Sequence, residues 1–440
     1  MMNRTKWRAA WLVGACLAGP AGGQEWTPET PMGVTRAIRA AVEDGRLGVF
    51  KGGPDPDGAW GSLCIGSVRV GDDGGVSLIQ DMVYWTPRYF YPASTIKLFA
   101  AIAAYEQMNA YARMYPQAGL SEHTPLRFYP LFEGEQVRET DPSHIARVPF
   151  GDAPITIAHE AHKIFVVSDN DAFNTLYDFV GQRDLNDRMR QWGVDSSMVT
   201  HRLSIARTED ENRRAPRVDL GLAPGSPQIG ERVSTIEHPG PDSVWVPEET
   251  LRMGKGFMRG GTLVEEPFDF SDKNFALLPD LQFVLARLVF PMISTRGCCD
   301  SMEMMLGAPS GRALDLTEAQ RADLIASASM LPRESASPKY DPAEYPDDYV
   351  KFLLPGLLKV APLEEWRVVN KIGLAYGFVT ENAYVEHLPT GNAVFVAAVI
   401  HRNPNGIYND NQYDYDTTLA EMATLGEVVG RALVGKQAGP

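Results

Sequence analysis

Hydrophobic positions divide the chain into helix-like and strand-like stretches before any single residue is considered. Val34, Ala37, Ile38, Ala41 and Val42 recur at three- and four-residue steps, which predicts an amphipathic helix over residues 28–44. Short apolar and β-branched runs follow at Leu47-Gly48-Val49-Phe50, at 62–70 and at 76–83. They read as strands, the last two joined by the Gly/Asp turn at 71–75. From Leu98 to Tyr105 the chain is apolar on nearly every side, the mark of a buried helix, and Pro92 sits where that helix begins. Residues 105–153 are polar, aromatic and proline-broken and read as a long loop region. Helical spacing returns over 155–167 and again from Asp171 to Val180, stopped by Gly181, with Ser168-Asp169-Asn170 at the connection.

Residues 213–362 hold half of the chain's 32 prolines and show helical pattern at 281–290 and 317–330, the latter opened by a Thr317/Gln320 capping box. Three strand patterns then follow at 367–374, 383–388 and 393–400. The last is apolar at every position, as in a strand covered on both faces. An amphipathic helix over 417–434 closes the pattern.

Composition narrows the function classes. The chain has 440 residues, 44% of them apolar and 22% charged, which is ordinary for a globular protein. Its net charge of −15 argues against nucleic acid or an anionic membrane surface as partner. Arg4, Lys6 and Arg8, a short apolar run from Ala9 to Ala18, and Ala21-Gly22-Gly23 make residues 1–23 a secretory signal peptide, too short for a transmembrane span. A periplasmic or secreted location is therefore expected. Val13-Gly14-Ala15-Cys16 offers the alternative of a lipoprotein anchored through Cys16. Export permits a disulfide among Cys64, Cys298 and Cys299, but spacing alone does not pair them. In His159-Glu160-Ala161-His162 the histidines are three apart where the zinc motif needs four. That stretch reads as helix surface, and neither metal nor cofactor is expected.

Ser94 and Lys97 carry the first sign of chemistry. They stand one turn apart at the start of the apolar helix. A lysine buried there must find a partner or lose its proton, and a neutral amine beside a serine hydroxyl is a general base for a nucleophile. The free amides and positive dipole end of a helix start favour a developing oxyanion. The competing reading is a lysine that snorkels to the surface. For Ser168-Asp169-Asn170 the competing reading is a simple helix N-cap.

Three signals stand in order: Ser94-x-x-Lys97, Ser168-Asp169-Asn170 and Lys371-x-Gly373 on a strand. With this ordered set the chain resembles the class A β-lactamases and penicillin-recognising serine hydrolases. The resemblance covers most of residues 28–435. It implies an α/β architecture of α+β type, with an antiparallel sheet flanked by the terminal helices and an all-helical lobe inserted between its second and third strands. The sheet lobe would comprise 28–90 and 363–435, and the helical lobe 91–362, with a large insertion within about 213–362. By the resemblance Ser94 is the acylated nucleophile and Lys97 its proton acceptor. Ser168 and Lys371 relay a proton to the leaving nitrogen, Asn170 binds the substrate amide, Gly373 leaves room along the strand edge, and the amides of Ser94 and Leu374 form an oxyanion hole. The implied partner is a small β-lactam or a peptidoglycan-like acyl substrate, acted on by a monomer.

Two departures from the family pattern bear on turnover. Ile372 stands where the family has a hydroxyl that helps to bind the substrate carboxylate. The deacylating glutamate loop has no close match, and Glu209, in Glu209-Asp210-Glu211-Asn212, is the best candidate base. The leading expectation is an exported hydrolase of class A type with a slow second step. The alternatives are a D,D-peptidase-like or other amide or ester hydrolase, and a sensor that is acylated without turnover.

Overall fold

The computed structural model describes residues 29–51, 58–71, 74–85, 87–140, 153–235, 246–298 and 311–435. The signal-peptide segment, Cys16 and Cys299 lie outside them, as does the side chain of Cys298; Cys64 is buried in strand β1.

The described residues open with α1 (Glu29–Glu43), followed by β1 (Trp60–Val70) and β2 (Val76–Tyr84). Next come α2 (Lys97–Met114), α3 (Ile157–Val166), α4 (Asn170–Val180) and α5 (Gln182–Gln191). Helix α6 (Leu278–Val289), strand β3 (Ile293–Cys298) and helix α7 (Glu318–Ser329) lie within the proline-rich region. Strands β4 (Trp366–Ala375), β5 (Phe378–His387) and β6 (Asn392–His401) and helix α8 (Tyr415–Val434) complete the chain. The six strands form one sheet in the order β3-β2-β1-β6-β5-β4. All pairs are antiparallel except β3 on β2, and β4 is an edge strand.

Strand β6 shows why the sheet needs cover on both faces. Val394, Val396, Ala398 and Ile400 face a core shared with Val34 and Ile38 of α1 and Met422 and Leu425 of α8. The alternate residues, Phe395, Ala397 and Val399, face a second core with Leu281 and Leu285 of α6 and the whole buried stretch of α2. The apolar run at every position of β6 thus serves two layers.

Several expectations are corrected. Leu47-Gly48-Val49-Phe50 is not a strand; Gly48–Phe50 form a 3-10 turn. The amide of Leu47 donates to Ala41 O at the end of α1 (2.9 Å), which ties the segment to the helix before it can join a sheet. Helix α2 runs on to Met114, beyond the apolar stretch, because Glu106 and Gln107 are buried with polar partners in place of apolar ones. The inserted region is helical at its centre but also carries short sheets, among them the pairings of Arg252–Met253 with Phe268–Asp269 and of Gly256–Arg259 with Thr262–Val264. Strand β3, half polar in sequence, adds a sixth, parallel strand to the main sheet. The His159–His162 stretch is not helix surface: Glu160 is buried and its carboxylate lies 3.1 Å from the Lys163 ammonium, while His162 sits between the hydroxyls of Ser327 and Ser335. Among the described residues no helix is long and apolar enough to cross a membrane.

Candidate active site

Ser94 lies on a 3-10 turn, Ala93–Ile96, that feeds directly into α2. Pro92 starts the turn, and its carbonyl accepts from the Thr95 amide (3.1 Å) and the Thr95 hydroxyl (2.6 Å). Ala93 is held at φ 47, a left-handed conformation that costs a non-glycine residue energy and that the surrounding packing must enforce. Edge strand β4 runs against this turn. A Cβ on Gly373 would strike the Pro92 carbonyl oxygen and come within 3.1 Å of the Ser94 amide nitrogen, so only glycine permits the approach. The amides of Ser94 and Leu374 therefore come from two closely apposed backbones. Leu374 itself is 37% exposed on that edge.

The second side of the site is the α3–α4 corner. Ser168 takes φ 59, which turns the chain sharply between the two helices. Asp169 is the N-cap, its carboxylate accepting from the Ala172 amide (3.0 Å). Capping and chemistry are thus divided within one tripeptide: Asp169 holds the helix, and its two neighbours face the lysines.

Lys97 is fully buried and donates to Ser168 O (2.5 Å) and Asn170 Oδ1 (2.6 Å), with the Ser168 hydroxyl at 3.4 Å. Lys371 donates to the Ser168 hydroxyl (2.8 Å) and to Ile372 O (2.9 Å). The Ser168 hydroxyl therefore lies between two buried amines. Burial pushes Lys97 down to about 7, against the opposing pull of Asp169 and Asp171. Burial also pushes Lys371 well below the usual lysine range, helped by repulsion from Lys97. The two short bonds of Lys97 use two N–H groups, the number a neutral amine has, which leaves its lone pair for a hydroxyl proton. Among the described residues no hydrogen bond joins the Ser94 hydroxyl to Lys97.

The structure thus brings Ser94, Lys97, Ser168, Asn170, Lys371, Gly373 and Leu374 to one place. It does not bring Glu209 there. Glu209 starts a one-turn helix, Glu209–Asn212, capped by Thr208. Its side chain is 47% exposed and its carboxylate is paired with Arg213. Among the described residues no hydrogen bond or ion pair links it to the serine–lysine cluster. Ile372 is also turned away from the cleft. It shares a face of β4 with Val368 and packs in the core that also holds Val350, Phe352 and Leu353, only 5% exposed. A hydroxyl at that position would enter the core.

Two features escaped the sequence reading. Ser204 accepts a hydrogen bond from Asn170 Nδ2 (2.8 Å), and no motif marks it. Tyr91 and Tyr376 meet edge-to-face at 5.1 Å, backed by Phe270, so the inserted segment builds an aromatic wall where β4 ends.

Residues 80–219, which carry Ser94, Lys97, Ser168 and Asn170, match the beta-lactamase enzyme family. The chain is a serine hydrolase that is β-lactamase-like over this segment, 140 of its 440 residues. Lys371 and Gly373 lie beyond the matched segment. No curated protein matches the chain. Similar solved structures include a β-lactamase from Sphaerobacter thermophilus, 15% identical over 93% of this chain and 96% of that one (TM-score 0.41). Another, from Desulfarculus baarsii, is 17% identical over 90% and 98% (TM-score 0.45). A third, from Xanthomonas campestris pv. campestris, is 14% identical over 91% and 99% (TM-score 0.46).

Proposed function

We propose that this β-lactamase-like hydrolase acts outside the cytosol in the class A manner, opening a β-lactam amide through a Ser94 acyl-enzyme that it releases slowly. The observation that carries the reading is the Ser168 hydroxyl set between Lys97 and Lys371 beside the Ser94 turn. In the first step Ser94 Oγ attacks the lactam carbonyl carbon and its proton passes to the neutral Lys97 amine. The developing oxyanion meets the amides of Ser94 and Leu374. As the C–N bond breaks, a proton reaches the departing nitrogen through Ser168, with Lys371 holding that hydroxyl. Water then attacks the ester carbonyl, releases the ring-opened acid and returns the proton to Ser94. Acylation has all its groups at hand. For the second step, Glu209 stands on Arg213 instead of at the ester, which favours an accumulating acyl-enzyme.

A D,D-peptidase-like reading shares the first step and is favoured by the same placement of Glu209. One experiment separates the two. Purified protein is mixed with a chromogenic β-lactam while colour and intact mass are followed together. The expected result is a burst of colour with a covalent adduct on the Ser94 peptide, followed by slow steady release, and no adduct in Ser94→Ala. An adduct with no release selects the peptidase-like or sensor reading. Neither adduct nor hydrolysis overturns the proposal.

A further inference from the structure

The loop that follows α5 delivers one more polar group to the site. Arg202 is buried, with its guanidinium on Asp178 (2.7 Å) and its amide donating to Asn212 Oδ1 (3.1 Å). Leu203 is fastened from the other side by Asn174, whose Nδ2 donates to Leu203 O and whose Oδ1 accepts from the Leu203 amide, both at 2.9 Å. Between these anchors and solvent, Ser204 is held at φ 55. A serine in that left-handed conformation is strained, and two firm anchors on the preceding residues are what sustain it. The consequence is a hydroxyl 2.8 Å from Asn170 Nδ2.

Asn170 is thereby fixed at both ends of its amide. Its Oδ1 accepts from Lys97, which decides the flip, and one of its two N–H groups goes to Ser204. The other N–H is left for a ligand. The Ser204 oxygen, having accepted from Asn170, keeps its own proton to donate outward, and Ser204 is exposed. Ile205 follows it, 44% exposed, as an apolar neighbour.

We propose that Ser204 is a specificity-determining residue: beside Asn170 it supplies a second hydrogen-bond donor to a carbonyl on the acyl side of the substrate. The site would then select acylamido substrates, in which a carbonyl acceptor stands next to the ring being opened. This rests on the reading of Ser94 as the acylated nucleophile.

The test compares two β-lactams on the full chain: benzylpenicillin, which has an acylamido carbonyl, and 6-aminopenicillanic acid, which has the same ring and no such carbonyl. Acylation efficiency is measured by mass shift for wild type, Ser204→Ala and Ser204→Gly. Glycine adopts φ 55 without strain, so this second variant removes the hydroxyl while leaving the loop relaxed. The expected result is about a tenfold loss with benzylpenicillin in both variants, the usual worth of one hydrogen bond, and less than about a twofold change with 6-aminopenicillanic acid. Equal losses on both substrates mean that Ser204 only braces the loop, and overturn the proposal. Unchanged rates on both also overturn it. A wild-type protein that neither compound acylates overturns the underlying nucleophile reading, and this proposal with it, before any Ser204 variant is compared.

Discussion

Lys163 and Lys97 are both buried and both reach the Ser168–Asn170 corner, yet they are held in different ways. Lys163 has carboxylates as neighbours, Glu160 at 3.1 Å and Asp169 at 3.8 Å. Lys97 has a carbonyl and an amide oxygen, Ser168 O and Asn170 Oδ1, and among the described residues no carboxylate pairs with it. An anion beside an ammonium favours the charged form, whereas neutral acceptors do little to offset the cost of burying that charge. One lysine is thus held at the corner by two carboxylates. The other is built to shed its proton near neutral pH. The same residue type is held by carboxylates in one place and by neutral acceptors in the other.

Removing each amine in turn sharpens this contrast. Lys163→Met removes the cation beside Glu160 and Asp169, and should cost about 3–5 kcal/mol of stability, seen in chemical denaturation. Lys97→Met breaks no ion pair among the described residues, and should unfold within ~1 kcal/mol of wild type at pH 7 while acylating roughly 10²–10⁴-fold more slowly. The sign of the pH dependence follows. The Lys97 amine is at about 7 when folded and at 10.5 when unfolded, so between those values the unfolded chain binds the extra proton. Relative to Lys97→Met, wild-type stability should therefore rise with pH through that window. Equal destabilisation by the two substitutions would erase the distinction between the lysines.

Smaller effects test the two departures from the family pattern. Ile372→Thr buries a hydroxyl in the core beside Val368 and should cost about 1–3 kcal/mol, with KM for carboxylate-bearing substrates unchanged. A lowered KM in that variant would mean that the side chain reaches the cleft after all. Glu209→Gln removes only an exposed pair with Arg213, so stability should change by less than ~1 kcal/mol and the acyl-enzyme lifetime should stay the same. A markedly longer lifetime would make Glu209 the deacylating base.

Much of this site was legible because its groups come in short local motifs. Ser94 and Lys97 are one turn apart, Ser168 to Asn170 are consecutive, and Lys371 and Gly373 flank one residue on a strand. What the motifs could not carry was direction. Ile372 looks like a substitution in the cleft until the alternation of β4 places it with Val368 in the core. Glu209 lies in about the right stretch of chain, but a capped helical turn points it to Arg213. Ser204 was invisible because its place depends on a positive φ and on Asn174, thirty residues earlier. The fold divides similarly. Strands with strong apolar pattern, such as β6, were plain, whereas β3, with Ser294, Thr295 and Arg296, joins the sheet through pairing with β2 that no local pattern announces. Glu160 and His162 read as surface because charged residues usually are, and here long-range partners bury them.

In the proposed mechanism Lys97 accepts the Ser94 proton as a neutral amine. The most direct test is the single-turnover rate of Ser94 acylation by benzylpenicillin, measured from about pH 5 to about pH 9 in wild type and in Lys97→Met. The wild-type rate should climb about tenfold per pH unit in the acid range and level off above a midpoint near 7, where burial has placed the amine. In Lys97→Met the rate should be low and without that inflection. A wild-type rate that is flat across the range, or an inflection near 7 that survives in Lys97→Met, would contradict the claim.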